Sequence, residues 1–125
     1  MAIKIQTKHT FIPVILGDLE LKFDISDESI LKLEKSAGKV KSELEKVKIT
    51  SKNEEEALEK SKQALKKGYD FLFGEGTFEE VYELSPSVAI CAEYFEQIAL
   101  GLFEELEKRG FSKTTQSKVQ KYLNK

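Results

Sequence analysis

The chain has 125 residues, of which 40% are hydrophobic and 34% are charged, and its formal net charge is −2 at pH 7. This length suits one domain with a single core, and the composition is that of a folded protein rather than a disordered or fibrous one. No apolar run is long enough to span a bilayer, and the start of the chain lacks the apolar core of a signal peptide. Because the single cysteine, Cys91, permits no internal disulfide, we expect a cytoplasmic protein in which Cys91 is a core residue.

Residues 11–25 predict an antiparallel β-hairpin. Two alternating segments flank Gly17-Asp18, and glycine at the first position of a two-residue loop is typical of a type II′ turn. A hairpin that closes with Leu16 opposite Leu19 has one apolar and one charged face. Pro13 lacks an N–H group, so we expect its strand to lie at a sheet edge. The predicted apolar face consists of Ile12, Val14, Leu21 and Phe23.

Two long helices are predicted next. Apolar residues from Ile30 to Val47 recur at spacings of three and four, and Ser26 or Asp27 is the expected N-cap. A capping box of Ser51 with Glu54 would begin the second helix, which we expect to end near residue 73. Helices of this similar length suit an antiparallel helical hairpin.

The second half of the chain predicts a glycine turn and two further helices. Thr77 with Glu80 forms a capping box for a short helix after the turn at residues 74–76. Ser85 is the expected N-cap of the segment 85–110, which has the widest apolar face in the sequence and around which we expect the core to form. Gly101 inside this helix predicts a close contact between helices.

The predicted fold class is therefore α+β and mostly α, an N-terminal β-hairpin followed by a bundle of three to five helices. Residues 1–110 would form a single domain, and residues 111–125 a basic C-terminal tail. Charge is distributed in blocks, with nine acids and no Lys or Arg in residues 74–107, and six cations and no acid in residues 108–125. Such blocks suggest either an attraction within the chain or an interaction tail, and the simplest interpretation is a solvated acidic face with a loose basic tail.

The sequence contains no arrangement of residues that is typical of catalysis. His9 is the single histidine, and neither it nor Cys91 has neighbours that predict acid–base, nucleophilic or metal chemistry. We therefore expect no enzyme, no metal and no cofactor. The basic tail has few of the aromatic and arginine residues that nucleic-acid recognition uses, so we do not expect nucleic-acid binding. A protein-binding module is the remaining interpretation.

Two stretches resemble known proteins. The segment FIPVILGDLELKFDISDESILKLEKSAGKV (11–40) is similar to the start of small phage tail-assembly chaperones, in which a hairpin with an "ELKFD"-type strand leads into a "LxKLEK"-type helix. The segment KKGYDFLFGEGTFEEVYELSPSVAICAEYFEQI (66–98) resembles a block with an "FFxxLFGEGT"-type turn in small tail-module proteins of phages and prophages of Gram-positive bacteria.

The resemblance implies a helical, non-catalytic protein of the bacterial host cytoplasm. Such chaperones coat the tape measure protein, keep it soluble and help to recruit tail tube protein. Two other interpretations are possible. The protein could be a structural tail or connector component of the virion, or a small prophage protein with a regulatory or nucleic-acid-binding role. The sequence also leaves open whether the chain forms a homo-oligomer. From the residues themselves, we expect partner contact through seven apolar side chains of the hairpin face and the glycine turn: Ile12, Val14, Leu21, Phe23, Phe73, Phe78 and Tyr82.

Overall fold

The computed structural model describes residues 1–7 and 10–110, and it confirms an α+β fold that is mostly helical. An antiparallel hairpin precedes the four helices of the described residues. His9 and the predicted tail, residues 111–125, lie outside the described part of the chain. The elements are β1 (Phe11–Leu16), β2 (Leu19–Asp24), α1 (Asp27–Thr50), α2 (Glu54–Phe73), α3 (Thr77–Leu84) and α4 (Val88–Lys108).

The hairpin has the predicted register. Leu16 lies opposite Leu19, and Pro13 lies opposite Lys22. In the two-residue loop only Gly17 has a positive φ, of 59°, as a type II′ turn requires. The apolar face covers the helices, because β1 contacts α4 while β2 contacts α1 and α2. The other edge of β1 has no strand beside it among the described residues, which agrees with the position of Pro13.

The first two helices form the predicted pair, but the cap of the second one differs. α1 begins after Ser26, whose side chain accepts a hydrogen bond from the Ser29 N–H at 3.3 Å, as expected. The predicted Ser51–Glu54 capping box is wrong, because α1 continues to Thr50 and Ser51 ends it. Asn53 is the N-cap of α2 instead, and its Oδ1 accepts from the Glu56 N–H at 2.8 Å.

The short helix α3 is capped from another helix. The predicted Thr77–Glu80 capping box is wrong, because Thr77 is already the first helical residue and its hydroxyl donates to the Gly74 carbonyl at 2.7 Å. The carboxylate of Asp70 in α2 accepts from the Phe78 N–H at 3.1 Å, and so supplies the missing cap. Burial opposes the charge on Asp70, but Lys66 and this N–H together lower the pKa of the carboxyl below its usual value.

The largest helix, α4, begins two residues later than predicted. Ser85 is not its N-cap but ends α3, because Pro86 restricts the preceding residue to an extended conformation. Ser87 is the N-cap, and its hydroxyl accepts from the Ile90 N–H at 3.3 Å. Gly110 has a φ of 82° just after the helix, as the sequence predicts. The apolar stripe is buried as expected: Cys91, Phe95, Ile98, Ala99, Leu102, Phe103 and Leu106.

The close approach between helices occurs at Gly68 and not at Gly101. A Cβ added at Gly68 would lie 2.7 Å from Cγ2 of Val40 and 3.0 Å from Cε1 of Phe95. A Cβ at Gly101 would meet nothing within 4 Å, so the predicted contact at Gly101 is wrong. Gly68 therefore lets α1 and α4 approach α2 from two sides.

Tyr69, the next residue of α2, connects the core to α3 and α4. Its side chain is fully buried, and its hydroxyl donates to the Cys91 carbonyl at 2.6 Å. Its ring centroid lies 5.2 Å from that of Phe95 and 6.0 Å from that of Phe78. Burial raises the pKa of the phenol, so it remains a hydrogen-bond donor throughout the physiological range.

The two helical glycines make a matched pair for mutation. We expect Gly68→Ala to lower the free energy of unfolding by about 1–3 kcal/mol, because the stiff Val40 side chain and the Phe95 ring must move. Gly101→Ala should raise it by up to about 1 kcal/mol, because alanine favours a helix and the site has space. Urea unfolding of both variants measures this, and a Gly68→Ala protein as stable as Gly101→Ala would contradict the close approach.

The cap of α3 predicts a pH-dependent loss of stability. Asp70→Ala should lower the free energy of unfolding by about 1 kcal/mol at pH 7, because the Phe78 N–H loses its acceptor. The folded pKa of Asp70 lies below its ordinary value of 3.8, so the carboxylate stabilises the fold above that pH. The deficit of the variant should then shrink as the pH falls through the lowered pKa. Unfolding curves between pH 7 and pH 2 measure it, with Glu80→Ala as control, and equal losses in both variants would contradict the assigned cap.

Candidate functional site

The seven side chains predicted to contact a partner lie in or against the core. Four of them are buried, namely Ile12, Leu21, Phe23 and Phe78, while Val14, Phe73 and Tyr82 are half-buried and pack on the core. They do not form an exposed apolar face in the folded chain. Contact with a partner through them stays a prediction, and the four buried side chains would have to leave the core to make it.

Four of these seven side chains form two aromatic pairs. The Phe23 and Phe73 rings pack edge to face with centroids 6.2 Å apart, which joins the hairpin to the end of α2. The Phe78 and Tyr82 rings lie 5.6 Å apart within α3, on the side where Phe78 meets Tyr69. Their shared role in this structure is to close the core around the glycine turn.

A long open groove runs between α1 and α2 and is the candidate site. It consists of two adjoining cavities of about 510 and 220 Å³, which share Glu43, Ala64 and Lys67. The α1 wall extends from Lys35 to Val47, which at 1.5 Å per residue is about 18 Å. We call it the α1–α2 groove; its lining is Lys35, Ser36, Lys39, Val40, Glu43, Lys46, Val47, Lys60, Gln63, Ala64, Lys67, Gly68, Asp70 and Phe71.

The α1–α2 groove has an apolar floor and a basic rim. Val40, Val47 and Ala64 are buried at its base, and Phe71 is an exposed aromatic side chain at one end. Lys60 forms an ion pair with Glu56, and Asp70 is held by Lys66 and Phe78. The four remaining lysines are exposed and have no ion pair within residues 1–7 and 10–110: Lys35, Lys39, Lys46 and Lys67.

Ser36 on the wall of this groove has a buried hydroxyl without a partner. The residue is only 5% exposed, and its Oγ makes no hydrogen bond in the part of the chain that the structure describes. An unpaired buried hydroxyl costs about 1–3 kcal/mol. The groove therefore contains a buried hydroxyl without a hydrogen bond. On the other side of α2, the buried Tyr69 hydroxyl has one.

A second groove lies between β1 and α4 and is less suited to a partner strand. It has a volume of about 330 Å³ and includes Pro13 and Gly101. Pro13 offers no N–H at the open edge, and Nη1 of Arg109 donates to the Phe11 carbonyl at 3.5 Å. Both features obstruct the pairing of another strand with this edge.

Cys91, the one cysteine of the chain, lies in the core. Burial raises the pKa of the Cys91 thiol, and its Sγ donates to the Ser85 carbonyl at 3.4 Å, as suits the predicted core residue rather than a nucleophile. Within residues 1–7 and 10–110, no group of three or more His, Cys, Asp or Glu side chains could hold a metal ion. None of the helices described combines the length and apolarity needed to cross a membrane.

The lysines of the groove were not among the predicted site residues, although the sequence contains a signal for them. Lys35, Lys39 and Lys46 follow one another at spacings of four and seven, and Lys60 and Lys67 at a spacing of seven. Such spacings place side chains along one line of a helix. Counting charge over whole segments conceals this alignment.

The unpaired hydroxyl predicts a stabilising substitution. We expect Ser36→Ala to raise the free energy of unfolding by about 1 kcal/mol more than Ser42→Ala, since both gain helix propensity but only Ser36 loses an unsatisfied buried group. Ser42 is exposed on the same helix and serves as the control. Thermal unfolding of both variants measures the difference. Equal gains would show that the Ser36 hydroxyl is satisfied in solution.

Comparison with known proteins gives a family but no activity. Neither a curated protein nor a solved structure matches the chain. Residues 17–125 match a family of unknown function (DUF6673), a range that includes β2, all four described helices and the α1–α2 groove. The chain therefore belongs to this family of unknown function, DUF6673.

Proposed function

We propose that the protein is a non-catalytic chaperone of phage tail assembly, which binds the tape measure protein in the cytoplasm of the bacterial host and assists assembly of the tail tube. The observation that carries this proposal is the resemblance of residues 11–40 and 66–98 to small tail-assembly chaperones and tail-module proteins. The family itself has no assigned function, so the proposal depends on these two segments.

The contacts between the two segments support reading them as one unit. Phe23 of the first packs edge to face on Phe73 of the second, and Val40 of the first lies against Gly68 of the second. The glycines of the "FGEGT" turn have the positive φ values of 109° and 90° that only glycine adopts readily. The resembling residues thus have interlocking structural roles, as expected if they specify one shared fold.

The surface also supports a binding role. The α1–α2 groove is open and apolar at its floor, and its two cavities have volumes of about 510 and 220 Å³. In addition, Ile3 and Ile5 of the N-terminal segment are 90% and 83% exposed and pack on nothing in the described chain.

Co-expression with a tape measure protein tests the proposal. We expect the tape measure protein, which is long and hydrophobic, to become soluble and to elute together with this chain in size-exclusion chromatography. An unrelated acidic protein of the same size, expressed in the same way, is the control. A tape measure protein that stays insoluble, with no complex eluting, would contradict the proposal.

Analysis of purified phage particles provides a second arm of the same test. A chaperone leaves the assembling tail, so we expect the protein to be absent from mature particles by mass spectrometry. Its presence there at stoichiometric amounts would instead identify a structural tail or connector component.

A further inference from the structure

We propose that the α1–α2 groove binds an acidic amphipathic helix of a protein partner. This inference deepens the proposed function, on which it rests only in requiring a polypeptide partner; it needs no particular phage protein. Three properties of the groove support it. These are its length, the backbone N–H and C=O groups of its walls, which are already bonded within the helices, and its lysines without ion pairs.

The shape of the groove matches one helix. Its walls are about 18 Å long, which corresponds to about 12 residues or slightly more than three helical turns. Val40, Ala64 and Val47 along the base would contact a stripe of apolar residues on the occupant. The exposed ring of Phe71 closes one end. Two antiparallel helices with an open side offer the position that a third helix takes in a bundle.

The occupant must satisfy its own backbone. Both walls are α-helices, whose N–H and C=O groups bond within the helix, so the groove offers no sheet edge. An extended segment in the groove would leave its own polar backbone groups without partners, which is unfavourable in an apolar cleft. A helix has no such requirement, because its backbone bonds are internal. The groove therefore favours helix-in-groove recognition.

The rim selects acidic side chains. Lys35, Lys39, Lys46 and Lys67 line the groove without ion pairs among the described residues, whereas Glu43 is its one acid not held by another described group. The groove is thus positive although the chain as a whole has a net charge of −2. Complementary charge on a partner accelerates encounter and sets the choice of partner and register.

A second copy of this chain fits the groove less well. Its most acidic helix is α4, with Glu93, Glu96 and Glu104 exposed. The apolar stripe of α4, however, is buried against its own core, so the exposed face would supply charge without the apolar contacts. A partner helix with both an apolar stripe and acidic flanks meets both requirements.

Two synthetic peptides test the proposal directly. The acidic probe is a helical peptide of about 14 residues with Leu at positions 2, 6, 9 and 13 and Glu on both flanks, so that the roughly 12 residues that the groove accommodates are flanked by one residue at each end. The basic probe has Lys in place of every Glu. Fluorescence anisotropy with the full chain should show the acidic probe binding about 10-fold or more tightly than the basic one, with affinity falling as salt rises.

Charge-reversal variants locate the binding. Lys39→Glu with Lys67→Glu should weaken binding of the acidic probe by about 10-fold, and Lys35→Glu with Lys46→Glu should do the same. Lys48→Glu, on α1 but outside the groove, is the matched control. All these lysines are exposed, and unchanged circular dichroism would verify the fold of each variant.

The outcomes of these experiments test the assignment of the groove independently of the proposed function. Failure of the acidic probe to bind, equal binding of both probes, or indifference to both double variants would overturn the assignment of the groove. So would self-association of the chain that the same double variants abolish, since a second copy would then be the occupant. None of these results uses a phage component, so co-expression with the tape measure protein still decides the chaperone function independently.

Discussion

The contact at Gly68 and Tyr69 in the middle of α2 is the constraint on which the fold depends. Gly68 has no side chain, so Val40 of α1 and Phe95 of α4 come closer than any larger residue permits. Tyr69 places its ring between Phe78 and Phe95 and donates its hydroxyl to the Cys91 carbonyl. Two consecutive residues thus connect α2 to each of the other three helices. The apolar stripe of α4 supplies more buried side chains, and α2 and α4 each contact the other three helices and one strand of the hairpin.

This arrangement divides α2 into a closed side and an open side. On the closed side, the hairpin, α3 and α4 cover the apolar residues, including most of those that the sequence indicated as binding residues. On the open side, α1 and α2 lie next to each other with nothing above them in the described chain, and the α1–α2 groove results. Its free lysines and the unsatisfied Ser36 hydroxyl are features that internal packing does not explain. The acidic helix that we propose for the groove would pair with these lysines.

Local signals predicted the parts of the fold that depend on neighbouring residues. The hairpin register followed from the alternation of apolar and polar residues on both sides of Gly17. The Ser26 cap followed from its position before the apolar residues that recur at helical spacing. The α3 cap was not predictable in this way, because Asp70 reaches it from a different helix. The choice between glycines had a signal: Gly68 has Ala64 and Leu72 at a distance of four residues, whereas Gly101 has Gln97 and Glu105. Apolar neighbours at this spacing place a glycine on the buried stripe. The groove depends on which faces α1 and α2 leave uncovered, and helix periodicity alone does not determine that.

Native-state hydrogen exchange tests the central place of α2 most directly. We expect amides of α2 between Leu65 and Leu72 to exchange only through global unfolding, with free energies equal to those of the slowest amides in α1 and α4. Amides of residues 2–7, whose side chains are exposed, should exchange far faster. Exchange of the α2 amides through a local opening, at a lower free energy than those of α4, would contradict the account, because α4 would then form the core without α2.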